Sequence, residues 1–463
     1  MAYGSTIAAI STPSGKGGVA IIRVSGDDAL RIAASVFFPK NKSSLLDASP
    51  RMQIYGDIIS RGEYIDDGMA TFFRAPFSYT GENTVEISCH GGILVSRAVL
   101  EALLVAGAMP AEAGEFTKRA FINGKLSLTE AEAIGNLLDA KSREQMKLSA
   151  LTSRERLSSH IEKIRTALTE LLSSIFARID YPDEDLGDFT NEESVERLFN
   201  IKEAIESLLA TYPTGRAISE GIPTVICGKT NVGKSTLYNA ILGEDAAIVT
   251  DIEGTTRDVL TREVPLGRVM LRLSDTAGVR GYEMADAVEK IGIERTRVAI
   301  SASELIIAVF DSSRAADAED RELISLLSQA NGAKIAVLNK CDCERRFDSG
   351  ILGDVFSDVI EICAKSNEVA AVGALKRMVE GLFTDEKITV GEQAVISSAR
   401  QNAALSRARD FVNAAILAFQ SGEYQDAAAS EVERALGAIA EIDGRSVSEE
   451  VVSDIFSKFC VGK

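Results

Sequence analysis

Tryptophan is absent and histidine occurs only twice, as His90 and His160, in a chain of 463 residues. So few histidines argue against a His-rich metal centre and against a Ser-His-Asp hydrolase. The six cysteines, Cys89, Cys227, Cys341, Cys343, Cys363 and Cys460, lie far apart. Cys341-x-Cys343 has neither zinc nor redox spacing, so reduced thiols are expected. No apolar run approaches the roughly 18 residues of a membrane-spanning helix. The opening MAYGSTIAAISTPSGKGG lacks a basic segment ahead of an apolar core and is not arginine-rich, so the expected location is cytoplasmic. Basic charge is also short: 50 Lys and Arg against 68 Asp and Glu give a formal charge of -18. Such an anion is repelled by phosphates, so any RNA contact must be local or brought by a partner.

What is present is ordinary globular composition, 46% apolar and 25% charged, over a length that suits about three domains. The chain is organised around IPTVICGKTNVGKST, residues 222–236. Val225-Ile226-Cys227 reads as a buried parallel strand, and Gly228 to Ser235 matches G-x-x-x-x-G-K-[ST], the phosphate-binding loop. Gly228 and Gly233 let N–H groups turn onto phosphates, helped by Asn231, Val232 and Thr236 in the same segment. Lys234 reaches the β and γ phosphates, and Ser235 is left to ligate Mg2+.

Three more motifs follow in order, each at a strand end. Asp275-Thr276-Ala277-Gly278 closes the alternating Val269, Leu271, Leu273 strand, where a carboxylate can hold the metal through water and the Gly278 N–H can sense the γ-phosphate. Asn339-Lys340-Cys341-Asp342 follows Ile335 to Leu338; a carboxylate there accepts from N1–H and the 2-amino group of guanine, which selects GTP over ATP. Cys363-Ala364-Lys365 ends a strand at 359–362, where a backbone N–H can meet the guanine oxygen. Between the phosphate loop and Asp275, the polar segment Thr250 to Asp258 suits a switch whose Thr256 hydroxyl completes Mg2+ coordination. Val279 stands where Ras-like proteins carry a water-orienting glutamine. Valine cannot orient water, so another device must supply charge. Asn231, with the carbonyls of Thr250 and Ile252, offers a monovalent-cation site, although Asn231 capping its loop by hydrogen bonds is an equal reading.

Residues 1–122 read as an α+β domain with strands at 6–10, 19–24 and 85–87 and helices at 28–37 and 93–105. Gly15-Lys16-Gly17-Gly18 leads into a strand and lacks the GK[ST] ending, so it reads as a turn. Helical periodicity then marks 157–179, stopped by Tyr181-Pro182, and 192–209, ended by Tyr212-Pro213. After about residue 387 helices return, with Leu405, Val412, Ile416 and Phe419 on one stripe, then 427–442 and 447–459. The expected architecture is an α+β domain (1–122), an all-α domain in two parts (123–219 and 388–463) and an α/β Ras-like P-loop domain inserted between them (220–387).

GKTNVGKST, TDIEGTTRDVL, DTAG with VEKIGIER, GGVAIIRVSG, FSYTGENTVEISCHGG, GEFTKRAFINGKLSL and the final FCVGK resemble, from end to end, the tRNA-modification GTPases of the MnmE or TrmE family. The resemblance implies a folate-binding N-terminal domain, a homodimer whose G domains approach each other, and activation by potassium. It also implies an FAD-dependent partner with which an aminomethyl-type group is placed on carbon 5 of a tRNA wobble uridine. By position, Asn231, Thr250, Ile252 and Thr255 would be potassium ligands, Ser235 and Thr256 magnesium ligands, and Glu289 would organise the attacking water. Contacts to 5-formyltetrahydrofolate fall on Arg23, Glu86, Lys125 and Lys463, against a reading from alternation alone that puts Glu86 on a solvated face. Departures are Cys363 for the usual serine, Ala113 before Gly114 where proline is common, and a longer loop at 279–286. Lys463 and Gly462 suit prenylation of Cys460 poorly, so a tail folded into a pocket is expected instead. From the residues alone, a switch-type GTPase of ribosome assembly or stress response, or a folate enzyme regulated by GTP, stays open.

Overall fold

The computed structural model describes residues 4–41, 43–152, 156–180, 190–243, 261–274, 297–365, 368–391, 393–421 and 425–463. The chain divides into two compact units, one of Met1–Leu138, Thr152–Ile201 and Asp410–Lys463, the other of Asp139–Leu151 and Lys202–Arg409.

In the first unit seven strands form one sheet: β1 (Ile7–Ile10), β2 (Val19–Ser25), β3 (Phe37–Pro39), β4 (Gln53–Ser60), β5 (Glu63–Phe73), β6 (Thr84–His90) and β7 (Met109–Pro110), in the order β3-β4-β5-β6-β2-β1-β7. Only the β1–β7 pair is parallel. Alternation sorts the faces: Ile22, Val24, Val85 and Ile87 are wholly buried, while Arg23 and Glu86, in register with one another, point to the opposite side. The helix expected at 28–37 is shorter, Ala29–Ala34, because Phe37 starts β3. The long hairpin β4–β5 carries few apolar alternations and turns through Arg61 and Gly62, both at positive φ. The helix Arg156–Asp180 buries Leu157, Ile161, Leu168, Leu171 and Ile175. It packs against the helix Gln425–Asp443, whose buried Ala428, Ala435 and Ala438 allow a close approach.

The second unit holds a six-stranded sheet of β8 (Ile222–Gly228), β9 (Thr261–Leu266), β10 (Val269–Ser274), β11 (Leu305–Asp311), β12 (Ala333–Asn339) and β13 (Asp358–Glu361), in the order β13-β12-β11-β8-β10-β9. All neighbours are parallel except β9 with β10. Every residue of β11 is buried, as a strand covered on both faces requires. Each fully buried Ile or Leu contributes about 1.5–3 kcal/mol, and Ile307→Ala at the sheet centre would cost about 2–5 kcal/mol. The helix Asn191–Leu209 ends as expected, but Tyr212-Pro213 opens a new helix, Tyr212–Ser219, with proline in its first turn, where the lost N–H is not missed. The Ile396 N–H donates to Thr211 Oγ1 at 3.1 Å, so the segments that lead into and out of the parallel sheet meet.

Candidate functional site

At the carboxyl ends of parallel strands, loops gather where ligands bind in sheets of this class. Gly228 (φ 143°) leaves β8, and a Cβ there would stand 2.3 Å from the Val309 carbonyl oxygen. Gly233 (φ 100°) opens the helix Lys234–Leu242, and a Cβ there would stand 2.1 Å from Asn339 Nδ2. Only glycine fits either place. Asn231 is also left-handed at φ 62°, and both it and Ser235 are exposed, whereas Val232 is buried. Thr236 is half-buried in the first turn of the helix.

The Lys234 ammonium bends back across the loop, donating to the Gly228 carbonyl at 2.8 Å and the Lys229 carbonyl at 2.6 Å. Burial lowers its pKa; both acceptors are neutral, so an anion at this place would be its counter-charge. Beneath it, burial pushes the Cys227 thiol up to about 12 and makes it inert. Lys229, a loop position without an assigned role, pairs with Asp317 and, at 3.0 Å, with Glu319. Its hydrogen bond holds Asp317 down at about 2. Asp317 in turn caps the helix Ala318–Ser328 through a capping box with Asp320.

Asn339 joins the loop 228–236 to the segment 363–365. Its Nδ2 donates to the Val232 carbonyl at 2.9 Å and its Oδ1 accepts from the Ala364 N–H at 3.0 Å, with the side chain buried. Lys340 is held at φ 64°, a strained conformation for a non-glycine residue, by an ion pair to Asp311 at 2.6 Å. Burial pushes the Asp311 carboxyl up, but Lys340 and two donors from Ser313 outweigh it and hold it below the usual range. Asp342 and Lys365 are exposed, Cys363 and Ala364 buried. The sequence reading missed Asp311, Lys229 and Asp317. Asp311 had one signal, its place at the carboxyl end of an apolar strand. Thr250, Ile252, Thr255, Thr256, Asp275, Thr276, Ala277, Gly278 and Glu289 lie outside the described residues.

A second constellation lies in the first unit. Arg23 Nε donates to Glu86 Oε1 at 2.9 Å, and its guanidinium stands 5.2 Å from the Tyr79 ring centre and 5.5 Å from that of Phe116. Tyr79 and Thr117 hydroxyls lie 2.9 Å apart, and burial raises the Tyr79 pKa. The carboxyl-terminal tail docks beside this group. The Phe116 N–H donates to the Lys463 carbonyl at 3.1 Å, Ser11 Oγ donates to the Gly462 carbonyl at 3.1 Å, and Ala113 bridges to Val461. Cys460 is exposed and its carbonyl accepts from the Lys463 N–H at 3.3 Å. Lys125, exposed, donates to the Pro76 carbonyl at 3.1 Å. Arg23 and Glu86 are thus joined directly, and Lys463 reaches them through Phe116. The fully buried Arg119, paired with Glu115 at 2.7 Å and Glu82 at 3.2 Å, braces the helix Glu115–Ile122 beneath; nothing in the sequence singled it out.

A family model described as the GTP-binding protein TrmE N-terminus matches residues 6–125, and one for the MnmE helical domain matches residues 128–460. The chain is similar to proteins named tRNA modification GTPase MnmE in Thermotoga sp. strain RQ2 and in Thermotoga petrophila. Each is 40% identical over 463 residues, covering 99% of this chain and 100% of the relative. Among solved structures, Era of Aquifex aeolicus bound to GDP.AlF4- matches at 20% identity and a TM-score of 0.25, over 41% of this chain and 65% of that one. So slight a likeness says nothing about ligands here. Two family models that together span nearly the whole chain, and 40% identity kept from end to end, place it in the MnmE family of tRNA modification GTPases.

Proposed function

We propose that the chain hydrolyses GTP at the loop 228–236 and uses the hydrolysis to drive modification of a tRNA wobble uridine together with an FAD-dependent partner. The observation that carries the nucleotide half is the placement of Asn339, which holds the phosphate loop and the Ala364 backbone in fixed relation. The triphosphate lies against the N–H groups of Gly233 to Ser235 and takes the place of two carbonyls as the partner of Lys234. Asp342 accepts from the guanine edge, Lys340 flanks the base, and the Cys363-Ala364-Lys365 turn meets its oxygen.

Oxygen donors suit hard cations. Ser235 and Thr256 would hold Mg2+, and Asn231, Thr250, Ile252 and Thr255 would hold K+. Both ions supply positive charge where the phosphate oxygens gain negative charge. Asp275 would hold the metal through water, Gly278 would sense the γ-phosphate, and Glu289 would orient the attacking water. The exposed, left-handed Asn231 supports the potassium reading, since its amide is free of the loop's core.

In the first unit, Arg23, Glu86, Lys125 and Lys463 are proposed to bind a tetrahydrofolate one-carbon carrier such as 5-formyltetrahydrofolate. Glu86 can accept from pterin N–H groups while Tyr79 and Phe116 offer flat apolar surface, and the two lysines can meet a glutamate tail. The working form is proposed to be a cytoplasmic homodimer, joined by the flavoprotein and tRNA. Supporting the inserted-domain reading of 220–387 is the Thr211–Ile396 hydrogen bond at the entry and exit.

The test is wobble-uridine modification with the purified partner and tRNA, comparing wild type with the Arg23→Ala, Lys125→Ala double variant. The expected result is lost modification with unchanged GTP hydrolysis; full modification would overturn the proposal.

A further inference from the structure

A cavity of about 730 Å³ lies in the first unit, its apolar wall made by Phe121, Ile122 and Leu126 and its carboxylates supplied by Glu130, Glu162 and Asp443. Asp443 is the unusual member. It is the last residue of the helix Gln425–Asp443 and only 8% exposed, and its Oδ1 is buried without a hydrogen-bond partner. A carboxylate at this end of a helix also faces the negative pole of the helix dipole.

The cations nearby are engaged elsewhere. Arg165 Nε donates to Glu162 Oε2 at 2.8 Å, and Arg445 Nη2 reaches the same oxygen at 3.4 Å. Glu130 Oε2 accepts from the Ser127 N–H at 2.7 Å. Burial raises the proton affinity of Asp443, Glu162 and Glu130 add to it, and Arg445 and Arg165 oppose it. Two buried carboxylates thus share one cavity with the Glu162 ion pairs, and Asp443 Oδ1 lacks the hydrogen-bond partner that a buried polar atom requires.

A single metal ion does not fit the spacing. Among the described residues only Asp66, Asp67 and His90 bring three ligating atoms within 4.8 Å of one another. Carboxylates that do not converge on one point, in a cavity that also has an apolar wall, match a cation whose charges are themselves separated by methylene groups. We propose that this cavity binds a linear aliphatic diamine or polyamine, with one ammonium on Asp443, a second drawn to Glu130, and the chain along Phe121 and Leu126.

The experiment is isothermal titration of the full-length protein with putrescine at fixed ionic strength. Comparison ligands are 1,4-butanediol, of the same length but neutral, and methylammonium, with one charge. Asp443→Asn keeps the shape and removes an uncompensated buried charge, so it does not threaten folding; Glu130→Gln tests the second position. The expected result is putrescine binding that weakens about tenfold or more in Asp443→Asn, weakens also in Glu130→Gln, and leaves GTP hydrolysis unchanged. Butanediol should give no heat, and methylammonium should bind far more weakly. Absence of putrescine binding to wild type, equal affinity in Asp443→Asn, or methylammonium binding as tightly as putrescine would each overturn the proposal.

Discussion

Asn339 Nδ2 donates to the carbonyl oxygen of Val232 at 2.9 Å, across 107 positions of sequence. The same side chain accepts from Ala364, so one amide fixes the distance between the two ends of the proposed nucleotide site.

Replacing Asn339 by alanine leaves a buried carbonyl and a buried N–H unpaired, at a cost of roughly 1–3 kcal/mol. Affinity for a fluorescently labelled GDP should fall about tenfold or more. The label is needed because the chain has no tryptophan. Unchanged affinity would show that the loops hold their spacing without this bridge.

Gly233→Ala tests the same junction from the other side. Its φ of 100° and the 2.1 Å approach to Asn339 Nδ2 leave no room for a methyl group. Strain of order 1–3 kcal/mol should shift the loop and weaken labelled GDP about ten- to hundredfold. Wild-type affinity in this variant would contradict the packing described.

The docked tail gives a separable effect. Gly462 sits at φ 98°, and a Cβ there would stand 2.3 Å from the Ile10 carbonyl oxygen. Gly462→Ala should release the tail and withdraw Lys463 from Phe116. Wobble-uridine modification should drop while GTP hydrolysis keeps its wild-type rate; loss of both together would argue against an independent first-unit site.

A pH dependence follows from His90. Its Nδ1 lies 2.8 Å from Asp66 Oδ1, and that carboxylate hydrogen bond raises its pKa above 6.5. The raised value means that the pair stabilises the fold below about pH 6.5, and that this stabilisation is lost as pH rises through the folded-state value. The imidazole is largely exposed, so screening keeps the effect small. His90→Gln should lower the melting temperature at about pH 5.5 and converge on wild type at about pH 8.5. A constant difference at all pH values would remove the ionic account.

Gly228, Gly233 and Lys234 were legible because the phosphate-loop pattern admits few residues at that spacing, and β8 and β12 because parallel strands need unbroken apolar runs; β11 passed unread. The helices Ile93–Val105 and Arg156–Asp180 followed their stripes closely. The Asn339 bridge was not legible, since its partners lie in loops brought together only by the tertiary fold. Nothing in the sequence singles out Arg119 or Asp443, because their burial is set by what packs over them. Tyr212-Pro213 misled because proline stops one helix and starts another equally well. Alternation placed Glu86 correctly opposite the sheet core, but not its neighbours there, Arg23 with the rings of Tyr79 and Phe116.

The most direct test is steady-state GTP hydrolysis in equal concentrations of KCl and NaCl, for wild type and Asn231→Ala. With Val279 in place of a water-orienting glutamine, the account predicts a large potassium advantage that disappears in the variant. Equal rates in both salts would contradict it, leaving Asn231 a loop residue and assigning the charge on the phosphates to another group.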